Sequence, residues 1–143
     1  MTTNTTTPSR GVLAWEAPLR LAATDVLTGN NRDSRREKNR KTRAIRTVAE
    51  ATARYRRAPH LNRARVVIDV DYPDRLRRDI HNLHWTVKPL VDGLIRAGLL
   101  PDDDDRHLAS LILQPSGRLS PKILGQRTFT FHIHVYTPQE TSS

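Results

Sequence analysis

RTFTFHIHVY, residues 127–136, alternates without a slip: Phe129, Phe131, Ile133 and Val135 fall on one side, Thr128, Thr130, His132, His134 and Tyr136 on the other. Period-two alternation of aromatic and β-branched residues puts each set on one face of an extended strand. Such a strand is stable only inside a sheet whose apolar face is covered, so the rest of the chain must supply both neighbours and cover. RVVIDVD at 65–71 reads as a second strand, stopped by Pro73, and LASLILQ at 108–114 as a third. Residues 12–22 hold a weaker first strand, interrupted at Pro18. PSGRLSPKILGQ, between the last two strands, is punctuated like a loop.

Two helical patterns supply the cover. Over residues 34–57, Ile45, Val48, Ala49, Thr52 and Tyr55 recur at three- and four-residue spacing and predict one narrow apolar stripe. The remaining faces carry Arg35, Arg36, Lys38, Arg40, Lys41, Arg43, Arg46, Arg54, Arg56 and Arg57, against Asp33, Glu37 and Glu50. Like charges four apart destabilise a helix unless an anion relieves them, which points to a surface that tracks phosphates. Residues 80–97 form the second pattern, with Leu83, Val87, Leu90, Val91, Leu94 and Ile95 on one face, Gly98 as the stop and Pro89 as an irregularity. The order strand, helix, strand, helix, strand, strand predicts an α+β fold: a small mixed, mostly antiparallel sheet with two main helices on one face.

At 143 residues the chain is expected to form one domain, 11–137, between polar ends, 1–10 and 138–143, expected to be disordered. It has no cysteine, which excludes disulfides and zinc–thiolate sites, and no apolar run near membrane-spanning length. No leader pattern opens it, so a soluble cytoplasmic protein is expected. The formal charge is +9, and arginine supplies twenty of the twenty-four basic residues. Its planar fork matches phosphate oxygens, so the expected partner is a polyanion, nucleic acid above all.

One stretch remains, RRDIHNLHWTVKPLVDGLIRAGLLPDDDDRHL at 77–108, with an aspartate after two arginines, a helix, and four aspartates in a row. Asp79 stands where the helix begins and reads as a cap or as a metal-binding carboxylate. The run Asp102–Asp105 is loop decoration unless a cation neutralises it, and hard oxygen ligands suit Mg²⁺ or Mn²⁺. With arginines alongside, such a cradle fits phosphodiester hydrolysis.

These residues, Arg77-Arg78-Asp79-Ile80-His81-Asn82-Leu83, then Asp92-Gly93-Leu94, Ala97-Gly98 and Asp104-Asp105, resemble the central pattern of the RusA family of Holliday junction resolvases. Gly29-Asn30-Asn31 before the basic helix is similar to the family's Asn-rich segment. The resemblance implies a Mg²⁺-dependent endonuclease (Mn²⁺ as alternative) that acts as a homodimer on four-way or otherwise branched DNA, encoded by a bacterium or a phage. Carried over, Asp79 and Asp105 are catalytic carboxylates and Asp79, His81, Asp104 and Asp105 the metal ligands, with Asp103 or Asp104 taking over if the loop is shifted. Lys88 is nominated as the catalytic lysine, because Trp85 stands at the family lysine's place. Arg77 and Arg78 position the phosphate, and Arg35, Arg36, Arg40, Lys41 and Arg43 bind duplex arms.

His81 departs from the family's second aspartate, which motivates an alternative: a RusA-like protein that binds branched DNA without cleaving it. A third reading, an RNA- or ribosome-associated basic protein, makes the acidic run incidental. Asp92 is read as a structural hydrogen-bonding residue to the sheet or helix start, and Asp69 and Asp71 as partners of Arg65 or another arginine. His132, His134 and Tyr136 are read as a solvated or helix-covered strand face. An unbroken 80–97 helix would be about 27 Å long, which separates Asp79 from Asp105. Closing that gap requires a break at Pro89, a loop running back after Pro101, or a partner subunit.

Overall fold

Alternation settles where the last strand sits: inside the sheet. In the computed structural model, which describes residues 11–138 except Asn31, β4 (Thr128–Thr137) lies antiparallel between β1 (Val12–Ala22) and β2 (Ala64–Tyr72). β3 (Leu108–Leu119) adds parallel to the far side of β2, giving the order β1-β4-β2-β3. The mixed, mostly antiparallel α+β architecture is as expected. The tail expected at 1–10, all of that expected at 138–143 except Pro138, and Asn31 of the Asn-rich segment lie outside the described residues.

Both prolines in the strands lie on edges. Pro18 is in β1 and Pro115 in β3, each bounding the sheet on one side, so neither removes a donor that a second neighbour needs. This corrects the end of β3. Pro115 and Gly117 look like turn residues, yet the strand runs on to Leu119, with a register irregularity opposite Val70–Tyr72 that absorbs them.

Trp15, Leu19, Leu21, Val66, Ile68, Val70, Phe129, Phe131, Ile133 and Val135 form the sheet's buried side. Two helices close over it: α1 (Arg35–Tyr55) and α2 (His84–Arg96). Ser34 caps α1, its Oγ accepting the Glu37 N–H at 3.1 Å. The buried stripe of α1 is Lys41, Ile45, Ala49 and Ala53, narrower than the sequence predicts; Val48 is 38% and Tyr55 86% exposed. Small residues turn inward because α1 and α2 touch closely. A Cβ built on Gly93 would lie 2.3 Å from the Arg46 carbonyl oxygen and 2.7 Å from the Ala49 methyl.

Where the sequence predicts one helix from 80, a 3-10 turn at Ile80–Leu83 precedes α2. Pro89 lies in the second turn of α2 and does not break it. At the other end Gly98 adopts φ +99°, its N–H bonds the Ile95 carbonyl, and the Leu99 N–H bonds that of Leu94. That closure satisfies the last carbonyls and turns the chain toward the acidic run.

Candidate active site

The loop after Pro101 folds back on α2. Asp103 Oδ2 accepts a hydrogen bond from Lys88 Nζ at 2.6 Å, and Asp92 Oδ1, one turn along the helix, accepts another at 3.1 Å. The two carboxylates raise the Lys88 pKa, and the Lys88 ammonium in turn lowers that of Asp103. Arg46, Arg96 and Asp102 complete an open depression of about 380 Å³ around this triad. Asp92 therefore pairs with Lys88, correcting the expected bond to the sheet or helix start.

The other acids of the run are used locally. Asp102 Oδ1 accepts the Asp103 N–H at 2.7 Å; Asp104 pairs with Arg106 at 3.0 Å, which lowers its pKa, and its carbonyl accepts the N–H groups of His107 and Leu108. Asp105 is exposed, its carbonyl accepting from Arg63 at 3.3 Å. Counting back from Leu108 singles out Asp104 and Asp105, but the side chain that reaches α2 is that of Asp103. Sequence reasoning kept Asp103 only as the shifted alternative. The four-residue spacing of Lys88 and Asp92 was the available clue.

Asp79 is elsewhere. Its Oδ1 accepts the His81 N–H at 3.0 Å, so it caps the 3-10 turn, and the residue is exposed. It borders a depression of about 220 Å³ with Arg77, Tyr72, Asn82, Asn30 and Thr28. Burial pushes the Tyr72 phenol up, opposed by the charge of Arg78 and reinforced by that of Asp79. Arg78 is already engaged: Nη1 and Nη2 hold Asp74 at 2.5 and 3.2 Å, and the guanidinium lies over the rings of Tyr72 and Phe129 at 5.2 and 5.6 Å. The Arg78 hydrogen bond, helped by the Leu76 N–H and the charge of Arg127, lowers the Asp74 pKa to about 2. Arg78 is thus a pin for this end of the sheet, while Arg77 stays exposed.

These two acidic elements stand at opposite ends of β2. Asp79 is beside Tyr72, the last residue of that strand, and the acidic run leads into Leu108, which pairs with Ala64, the first. Nine residues of strand separate the ends by about 26 Å. The expected set Asp79, His81, Asp104 and Asp105 is not assembled in one chain. Among the described residues no group of three or more His, Cys, Asp or Glu side chains is placed to hold a metal ion.

Of the expected DNA contacts, Arg35, Arg36 and Arg43 are exposed along α1, and Arg40 is exposed but paired with Glu37. Lys41 is a correction: it is buried, with Nζ 2.8 Å from Asp33 Oδ2. The far side of the sheet carries a polar ladder. His132 Nε2 is 2.8 Å from Asp71 Oδ2, His134 lies between Glu16 and Asp69 at 3.1 and 3.4 Å, and Gln114 and Ser116 bond Asp69 and Asp71. Burial would raise the Asp71 pKa, but Ser116, His132 and Arg118 outweigh it and leave it lowered. The partners of Asp69 are thus Gln114 and His134; Asp71 does meet an arginine, Arg118, at 3.6 Å.

Fold and site together define a small α+β protein with two helices over one side of a mixed sheet and, in a depression shared by the helices and the acidic loop, a lysine held between carboxylates. No protein-family model matches the chain. It is 40% identical over 65 residues to the crossover junction endodeoxyribonuclease rusA of Enterobacteria phage HK97, a match that covers 43% of this chain and 52% of that protein. The chain thus spans about half the length of the curated relative it matches, and over the shared residues it is RusA-like.

Proposed function

We propose that the chain is an endodeoxyribonuclease of the Holliday-junction-resolvase type. It acts in the cytoplasm as a homodimer and hydrolyses phosphodiesters of four-way or otherwise branched DNA with Mg²⁺ (or Mn²⁺) during recombination and repair. The similarity to a protein named as a crossover junction endodeoxyribonuclease carries this reading. It is supported by Arg46 of α1 and Arg96 of α2, which line one depression with the Lys88–Asp103 pair and set phosphate-binding side chains against a charged cluster.

Lys88, held charged by two carboxylates, serves as an electrostatic contact to phosphate and not as a proton acceptor. To meet a phosphate oxygen it exchanges one carboxylate partner for the substrate. A divalent ion would lower the pKa of the attacking water and offset charge on the phosphate. Among the described residues the acidic side chains of one chain do not fit such an ion by themselves; a site for it would need a second copy, with Asp79 of one chain toward the acidic run of the other.

A labelled four-way junction incubated with the protein in Mg²⁺, Mn²⁺ or EDTA tests the proposal. Symmetric nicks in either metal, absent in EDTA and reduced about 100-fold by Lys88→Ala, are expected. Tight junction binding with no nick in either metal favours the second reading, a binder that does not cut. That reading draws on His81 in place of an aspartate and on the engagement of Lys88 by two carboxylates of its own chain. Unchanged function after Asp102 to Asp105 are all replaced by asparagine would favour the RNA- or ribosome-associated reading.

A further inference from the structure

Trp85 is an anomaly on this surface. It lies in the first turn of α2 with 62% of its area exposed, whereas the other tryptophan, Trp15, is 9% exposed and donates its indole N–H to the Arg56 carbonyl at 3.0 Å. Exposing an indole forfeits a large apolar burial that the fold could otherwise have used. One side of the ring borders a cavity of about 260 Å³ formed with Leu27, Gly29, Lys38, Asn39 and Thr42. Gly29 brings the backbone against the indole edge; a Cβ there would lie 3.3 Å from Trp85 Nε1 and 3.3 Å from Asn82 Oδ1.

We infer that Trp85 is a stacking platform for one unpaired DNA base, delivered from the branch point or from a single-stranded end. A planar ring presents a face to any base, so the contact needs no sequence. Asn39, exposed on α1, offers an amide to the base edge, and Lys38, with Arg35 and Arg36 one turn or less away, offers charge to its phosphate. The surrounding charge selects a polyanion as the occupant over an apolar peptide. A base inside an intact duplex is stacked on both faces and cannot reach the indole. The site therefore separates branched and single-stranded DNA from linear duplex. This inference rests on the reading of the protein as a binder of branched DNA, and it adds a residue and a cause for that selectivity.

The test compares wild-type, Trp85→Phe and Trp85→Ala protein for binding to three ligands: a four-way junction, a single-stranded oligonucleotide and a blunt linear duplex. Binding is read by anisotropy, and tryptophan emission is read in parallel. Trp85→Ala is expected to weaken the single strand and the junction about tenfold and leave the duplex within twofold, and Trp85→Phe is expected to retain most of the affinity. The single strand should quench emission of the wild type but not of Trp85→Phe, whose remaining Trp15 is buried. Equal affinity of Trp85→Ala and wild type for the single strand and junction overturns the inference, as does an equal loss on all three ligands. Junction binding that is absent in the wild type itself marks failure of the underlying reading instead.

Discussion

At the scale of single residues, the molecule spends its acids on its arginines and lysines before any ligand arrives. Asp74 is the sharpest case, since one carboxylate takes the fork of Arg78 and a contact from Arg127. Its folded pKa of about 2 lies below the ordinary 3.8, so the stabilisation is complete above the ordinary value and is lost as pH falls from about 4 toward 2. Asp74→Asn should cost about 1 kcal/mol near neutrality once solvent screening is allowed for. It should also flatten the fall in stability between pH 4 and 2, measured by urea melts across that range. Pairings of this kind were only half legible in the sequence. Arg78 and Asp79 stood out as adjacent motif residues, but Asp74 sits four positions upstream of Arg78 in no repeating pattern, and only the turn after β2 brings it under the guanidinium. Lys88 and Asp92 were readable as helical neighbours, whereas Asp103 reaches Lys88 through a loop whose path no local rule fixes.

At the scale of elements, period-two and helical periodicities located both helices and all four strands of the described fold, because one buried face imposes them. What they missed lay where burial exerts no selection: the exposed extension of β3 through Pro115, and the face of α1 chosen by contact with a glycine instead of a large apolar residue. The α1–α2 contact gives a prediction that pits two effects against each other. Alanine at position 93 gains up to about 1 kcal/mol of helix propensity over glycine. Its Cβ would lie 2.3 Å from a backbone oxygen and 2.7 Å from another methyl, neither of which is the end of a flexible side chain. Overpacking of this sort costs about 1–3 kcal/mol. The steric effect wins, so Gly93→Ala should lower the thermal midpoint by several degrees. Because Arg46 and Lys88 flank the crossing, it should also weaken junction binding more than duplex-independent properties such as helix content.

At the scale of the whole molecule, the positions of Asp79 and Asp103 bear on how many chains make one active centre. Asp79 caps the 3-10 turn and Asp103 is taken up by Lys88, nine residues beyond Asp79, and among the described residues the two join no group of three or more His, Cys, Asp or Glu side chains placed to hold a metal ion. If the proposed homodimer completes each centre across its two-fold, the mutants Asp79→Asn and Asp103→Asn should each be inactive alone yet complement each other. In a mixed dimer, one centre combines both altered residues and the other combines two unaltered ones, so half the dimers formed at equal mixing carry one working centre. Such dimers should nick one strand of a labelled junction without the paired second cut. Centres contained within single chains give the opposite arithmetic, since every chain in the mixture carries a lesion and nicking stays at the level of the separate mutants. Mixing must follow co-expression or refolding, so that subunits exchange before DNA is added. Restored single nicks would assign the two acidic elements to one shared site; continued inactivity in a mixture that still binds the junction would place each centre within one chain, and Asp79→Asn protein that nicks on its own would leave Asp79 as a cap.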